Sequence, residues 1–289
     1  MWVPARVSID LVIKSQPIRL MQQTASGYTD FSPFETMSGK PDSGILLLCD
    51  HARNEMPADY KDLGMPRAQL ERHIGYDIGA RALTIALARR LGAPAVLSTY
   101  SRLLIDPNRG EDDPTLIMRL SDGAVVPGNA RIDKTERALR IDRFHRPYHD
   151  EIDRVLDQLL ADRPPPVIVS IHSFTPVWRG VPRPWHATVL WDRDPRAVDP
   201  MMEGLRAQRD LVVDDNEPYD GALKNDTMYR HATLRGLAQL LLEIRQDLIA
   251  GPDGVEEWAD RLSPILASIA KRPECRKLEK FGSRCDADT

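Results

Sequence analysis

The 289-residue sequence is short of cysteine, of long apolar runs and of any large charge excess, and each shortage excludes something. Three cysteines (Cys49, Cys275, Cys285) are too few and too scattered for a disulfide framework or a cysteine-type zinc site, so the expected compartment is a reducing cytoplasm. No stretch approaches the roughly 20 apolar residues that cross a bilayer. The longest apolar stretch near the N-terminus, residues 9–13, is interrupted by Asp10 and followed by Lys14, too short and polar for a signal peptide. A formal net charge of −4 argues against nucleic acid as the main partner. The HExxH pattern of zinc proteases and the GxSxG elbow of serine hydrolases are both missing.

With 42% hydrophobic and 28% charged residues, the chain is an ordinary globular one, long enough for one large domain or two small ones. Short apolar runs read as strands at 45–49, 95–99, 167–171, 188–191 and 211–213, with a further short run at 103–105. Helical periodicity is expected over 63–90, over 134–163 with a break near Pro147, over 200–209, and over 255–271. The apolar positions of 238–244 alone favour helix. Strands alternating with helices, with no repeat and no interdomain linker, predict a single α/β domain over 40–273. Residues 1–39 read as a loosely ordered extension and 274–289 as a fraying tail. The Asp-, Gly- and Pro-rich segment 110–133 reads as a surface excursion, a kind of long loop that more often has a function than not.

Chemistry concentrates where apolar runs end. The run at 45–49 breaks into Asp50-His51, and 167–171 delivers His172-Ser173. Ligands of open α/β sheets bind at the carboxyl ends of strands, which is where both histidines fall. Asp77, at the start of a helix, is either a capping aspartate or a ligand. Two histidines and a carboxylate are the ligand set of a catalytic zinc that keeps a fourth position for water. A separate carboxylate must then move the proton, and Glu243 suits because it follows three leucines, where an unpaired ionised glutamate is costly. Its structural alternative is an ion pair with Arg245 or another arginine.

Arg102 and Arg109 flank the 103–105 run, and with Asn108 they form a group able to hold a substrate carboxylate. Lys224 and His231 are candidates for the same pocket. His145 and His149 stand four apart on one helix face, a metal-compatible spacing, but a packed or solvent-bonded pair is the expected reading. Nucleophilic catalysis by Ser173 or Cys49 is the weaker alternative.

The segments 50–57 (DHARNEMP), 73–80 (HIGYDIGA), 100–109 (YSRLLIDPNR), 169–174 (VSIHSF) and 240–249 (LLLEIRQDLI) together resemble the N-formylglutamate amidohydrolases. The resemblance runs from about residue 44 to 249. It implies a zinc-carboxypeptidase-like fold, a mixed and mostly parallel sheet between helices, and it makes 238–244 a strand. It also implies one Zn2+ at the strand ends, held by His51 and His172, with the third ligand open between Asp77, Asn54 and Glu55. Asn108 and Arg109 match the pair that holds a substrate carboxylate, and Glu243 matches the general acid/base. The implied substrate is a small acidic N-acyl amino acid, with neither nucleic acid nor membrane as partner.

Overall fold

The computed structural model describes residues 31–286. In chain order its strands are β1 (Phe34–Met37), β2 (Ile45–Cys49), β3 (Ala95–Ser98), β4 (Leu120–Ser121), β5 (Ala124–Val125), β6 (Val167–Phe174), β7 (Val177–Trp178), β8 (Val181–Pro182), β9 (Ala187–Leu190), β10 (Val213–Asp215) and β11 (Gln239–Arg245). The helices are α1 (Arg67–Leu70), α2 (Ala80–Leu91), α3 (Lys134–Arg140), α4 (Arg146–Leu160), α5 (Val198–Arg206) and α6 (Pro252–Ile269). Seven strands make one sheet in the order β1-β3-β2-β6-β11-β9-β10, and β4–β5 and β7–β8 are small separate hairpins.

Pairing is parallel between β3 and β2, β2 and β6, β6 and β11, and β9 and β10, and antiparallel at β1–β3 and β11–β9. The sheet is therefore mixed and mostly parallel, flanked by helices, as expected. Parallel strands covered on both faces need apolar residues on both. In β2, Ile45, Leu47 and Cys49 enter the core shared with α2, α5 and α6, whereas Leu46 and Leu48 meet Tyr148, Ile152 and Leu156 of α4. A third apolar cluster, including Leu63, Leu103, Leu104, Ile105 and Phe144, lies under the loop-rich region. Among the described residues, no helix is long and apolar enough to cross a membrane.

Several local expectations change. Residues 1–30 lie outside the described residues, but 34–37 is not a loose extension: it is the edge strand β1, paired with β3. That pairing occupies the outer edge of β3, so 103–105 adds no strand and is buried as turns instead. The helix expected over 63–90 is reduced to α1 and α2, because Gly64, Pro66 and Gly79 interrupt it. Gly79 takes φ +83°, and a Cβ there would lie 2.2 Å from the Ile249 carbonyl oxygen, so the turn into α2 requires glycine. The break near Pro147 is a π-turn, 141–145, which ends just before the proline and so accommodates its missing N–H. Residues 239–245 form a strand; the leucine spacing that mimics a helix serves two sheet faces. The tail does not fray over its described part: Arg284 bonds Asp192, Asp220 and the Trp191 carbonyl, and Asp286 accepts from Tyr229.

Candidate active site

Register brings the functional side chains together. Glu243 of β11 pairs with His172 of β6, so both point to the same face at the carboxyl ends of adjacent parallel strands. His172 lies within β6, which runs on to Phe174, rather than after a strand ending at 171. His51 follows β2, the neighbour on the other side of β6. Asp77 reaches the same point from the turn before α2, tied by its N–H to the His51 carbonyl at 2.9 Å.

Donor atoms of His51, Asp77 and His172, all buried, lie within 4.8 Å of one another. The imidazole rings stand 5.0 Å apart at 84°. Asp77 Oδ2 is 3.3 Å from His51 Nδ1, 2.9 Å from His172 Nδ1 and 3.3 Å from the Ser173 N–H. Each ring is anchored through its other nitrogen by a different buried carboxylate: His51 Nε2 to Asp106 at 2.7 Å, His172 Nε2 to Asp50 at 3.0 Å. A His51 that donates from Nε2 presents a bare Nδ1 lone pair toward Asp77. Two imidazoles steadied by carboxylates, converging with a third carboxylate, suit a divalent cation.

Charges within the group are strongly coupled. Burial opposes ionisation of Asp77, but His51 and His172 outweigh it and hold the carboxyl far below its usual range. Burial likewise works against charge on His172, and its hydrogen bonds to Asp50 and Asp77 reverse that, raising it well above the usual imidazole value. An entering cation would displace the proton at Nδ1, so binding is coupled to proton release. Asp77 is not a helix cap: α2 begins at Ala80, and the carboxylate faces the histidines. The alternatives are directed elsewhere, Asn54 donating to the Leu70 carbonyl and Glu55 pairing with Arg53 near the surface.

Glu243 lines the cavity above this group. Burial pushes its carboxyl up to about 7, with His172 opposing and Asp77 adding to the rise. Its Oε2 has no hydrogen-bond partner among the described residues. The pairing with Arg245 does not form, since Arg245 bonds Asp247 at 2.8 Å.

The cavity holds about 210 Å³, room for a small molecule. Arg102, Asn108 and Arg109 all line it, together with Leu190, Leu241 and Tyr219. Arg102 is clamped by Asp106 at 2.7 Å and turns Nη1 toward His51 Nδ1 at 3.3 Å. Asn108 accepts from the Thr227 N–H at 3.2 Å, so its amide NH2 is what it offers a ligand. Asp226 also lines the cavity, its carboxyl pushed up to about 7, chiefly by burial.

Two pocket candidates are placed elsewhere. Lys224 is exposed and 3.5 Å from Asp286, and His231 is buried against Asp153, so neither lines the cavity. His145 and His149 pack against each other with ring centroids 4.4 Å apart, as expected, and their hydrogen bonds go to the Arg109 and Pro107 carbonyls rather than to solvent. Ser173 donates to the Ile78 carbonyl rather than to His172, and burial raises the Cys49 thiol well above its usual value, which leaves neither poised as a nucleophile. Asp50 and Asp106 are the functional residues not singled out from sequence. Their signal was available, since each is a carboxylate abutting an apolar run, the same feature that marks Glu243.

The family model described as N-formylglutamate amidohydrolase matches residues 43–250. Among solved structures, a gene product of Agrobacterium tumefaciens is 32% identical with a TM-score of 0.78, the match covering 83% of this chain and 95% of that one. N-formylglutamate amidohydrolase from Ralstonia eutropha JMP134 is 21% identical with a TM-score of 0.59, covering 83% of this chain and 98% of that one, a likeness of fold. No curated protein matches the chain.

Proposed function

The chain belongs to the N-formylglutamate amidohydrolase family, and from that premise we propose that it is a zinc-dependent hydrolase of a small acidic N-acyl amino acid, with N-formyl-L-glutamate the leading substrate. The observation that carries this reading is the convergence of His51, Asp77 and His172 in one cavity with a buried Glu243 whose Oε2 has no hydrogen-bond partner among the described residues. These three residues would hold one Zn2+, which supplies an acidified water and polarises the acyl carbonyl. Glu243 takes the proton from the attacking water and returns it to the leaving amide nitrogen, and a carboxyl pushed up to about 7 suits both directions. Arg109 and the Asn108 amide hold the substrate carboxylate. Arg102, fixed by Asp106, directs Nη1 to where negative charge develops on the acyl oxygen.

The test is a panel of N-formyl, N-acetyl and larger N-acyl derivatives of acidic and uncharged amino acids, assayed with wild type and Arg109→Ala. The acidic formyl compounds should turn over best. Arg109→Ala should lower kcat/KM on them by about 10- to 150-fold, the loss of one charge-assisted contact, with little change on uncharged ones. Preference for a larger acyl group would make the chain a deacylase of another acidic compound. Equal loss on both substrate classes would make Arg109 structural, and no turnover of any member would favour a binding protein.

A further inference from the structure

Two π-turns, 141–145 and 229–233, each carry a buried histidine behind the cavity, and neither has a part in the reaction above. From the first turn, His145 Nε2 lies 2.8 Å from the Arg109 carbonyl oxygen. One helical turn on, His149 Nε2 lies 3.0 Å from the Pro107 carbonyl oxygen. Carbonyl oxygens only accept, so both rings are protonated at Nε2. The two bonds grip the peptide groups on either side of Asn108-Arg109.

The chain of contacts continues away from the cavity. His149 Nδ1 is 2.8 Å from His231 Nε2, and His231 Nδ1 is 3.0 Å from Asp153 Oδ1. Asp153 is also bound by Arg235 at 2.7 Å, and its pKa stays lowered despite burial, so it is an ionised acceptor. Acceptors therefore stand at both ends of three consecutive contacts. Neutral imidazoles bring two protons, one on His149 Nε2 for the Pro107 carbonyl and one on His231 Nδ1 for Asp153, and leave the two facing nitrogens without one. Burial, joined by neighbouring cationic groups, lowers the pKa of both rings and so favours this neutral pair, with Asp153 opposing at His231. Tyr148, the other titratable group packed on His149, bonds Asp50 instead.

We propose that His149 is a positioning residue for the substrate-binding segment, aiming Asn108 and Arg109 into the cavity through its hydrogen bond to the Pro107 carbonyl. The proposal rests on Asn108 and Arg109 being the substrate handle. Loss of that bond loosens the segment without touching the proposed metal ligands.

The experiment uses the full-length, zinc-loaded protein and its variants His149→Leu and His149→Gln. A contact made equally in ground and transition states acts on KM and not on kcat. His149→Leu should raise KM for the acidic substrate about 10- to 100-fold, the usual result of ångström-scale misplacement, with kcat and zinc content near wild type. Glutamine can donate to the Pro107 carbonyl, so His149→Gln should restore KM. Should His149→Leu fail to fold, His149→Asn, whose amide matches the Nδ1 position and not Nε2, takes its place with the same expected rise in KM. Wild-type KM in a folded His149→Leu, with KM raised in Arg109→Ala, overturns the positioning role alone. Unchanged KM in both variants overturns the handle and the proposal together.

Discussion

Glu243 has what a proton shuttle needs and a structural glutamate lacks: burial, a free oxygen and no cationic clamp. Replacing it by glutamine keeps the shape and removes the charge. Turnover should then fall by about 10²- to 10⁴-fold with zinc content unchanged, measured on one preparation by steady-state kinetics and metal analysis. The same variant reports on stability. A carboxyl raised in the folded state from an ordinary 4.5 to about 7 favours folding at acid pH, and that contribution is lost as pH rises through about 7. Metal-free Glu243→Gln should therefore melt higher than metal-free wild type at pH 8.5, and the gain should shrink toward pH 5. The anchoring carboxylates make a second case. Asp106 holds His51, Arg102 and the Asn108 N–H, so it joins the proposed metal site to the proposed substrate segment. Asp106→Asn should weaken zinc binding by about 10- to 100-fold in competition with a chelator, the usual effect of losing a ligand's anchor. His51, His172 and Glu243 were legible in the sequence because each ends or interrupts an apolar run. The direction of the Asp77 side chain was not, since it depends on a left-handed glycine two residues later and on the strand it faces.

At the scale of elements, β2, β6 and β11 position the centre, and their legibility differed with their neighbours. The strands β2 and β6 show as continuous apolar runs because both faces are covered. β11 shows a helix-like spacing because Leu240 and Leu242 serve one face and Leu241 the other. β1 is the case that composition concealed: three of its four residues are only partly buried and Thr36 is exposed, and their order comes from pairing with β3. This gives a truncation test. Deleting residues 1–30 should leave the melting temperature within a few degrees of wild type. Deleting 1–39 exposes the edge of β3 and should lower it clearly further, so equal melting temperatures for the two would show that β1 adds nothing. The 110–133 excursion packs Leu116, Ile117 and Val126 into the third apolar cluster, a contact no periodicity announces.

On the scale of the whole molecule, one sheet brings the proposed metal ligands, proton shuttle and substrate handle around a single cavity, at the strand ends where an open α/β sheet binds its ligand. Sequence indicated that architecture and most of that site. The histidine chain behind the cavity joins residues 42 and 82 apart in sequence, so it became visible only in three dimensions. The central claim is that His51, Asp77 and His172 hold the zinc on which hydrolysis depends. The direct measurement strips the protein with a chelator, returns Zn2+ in steps and follows formate released from N-formyl-L-glutamate, in wild type and Asp77→Ala. Wild-type activity should return linearly and level off at one zinc per chain, while Asp77→Ala should stay inactive at that stoichiometry. Full turnover by the metal-free wild type, or wild-type recovery by Asp77→Ala, would contradict the account.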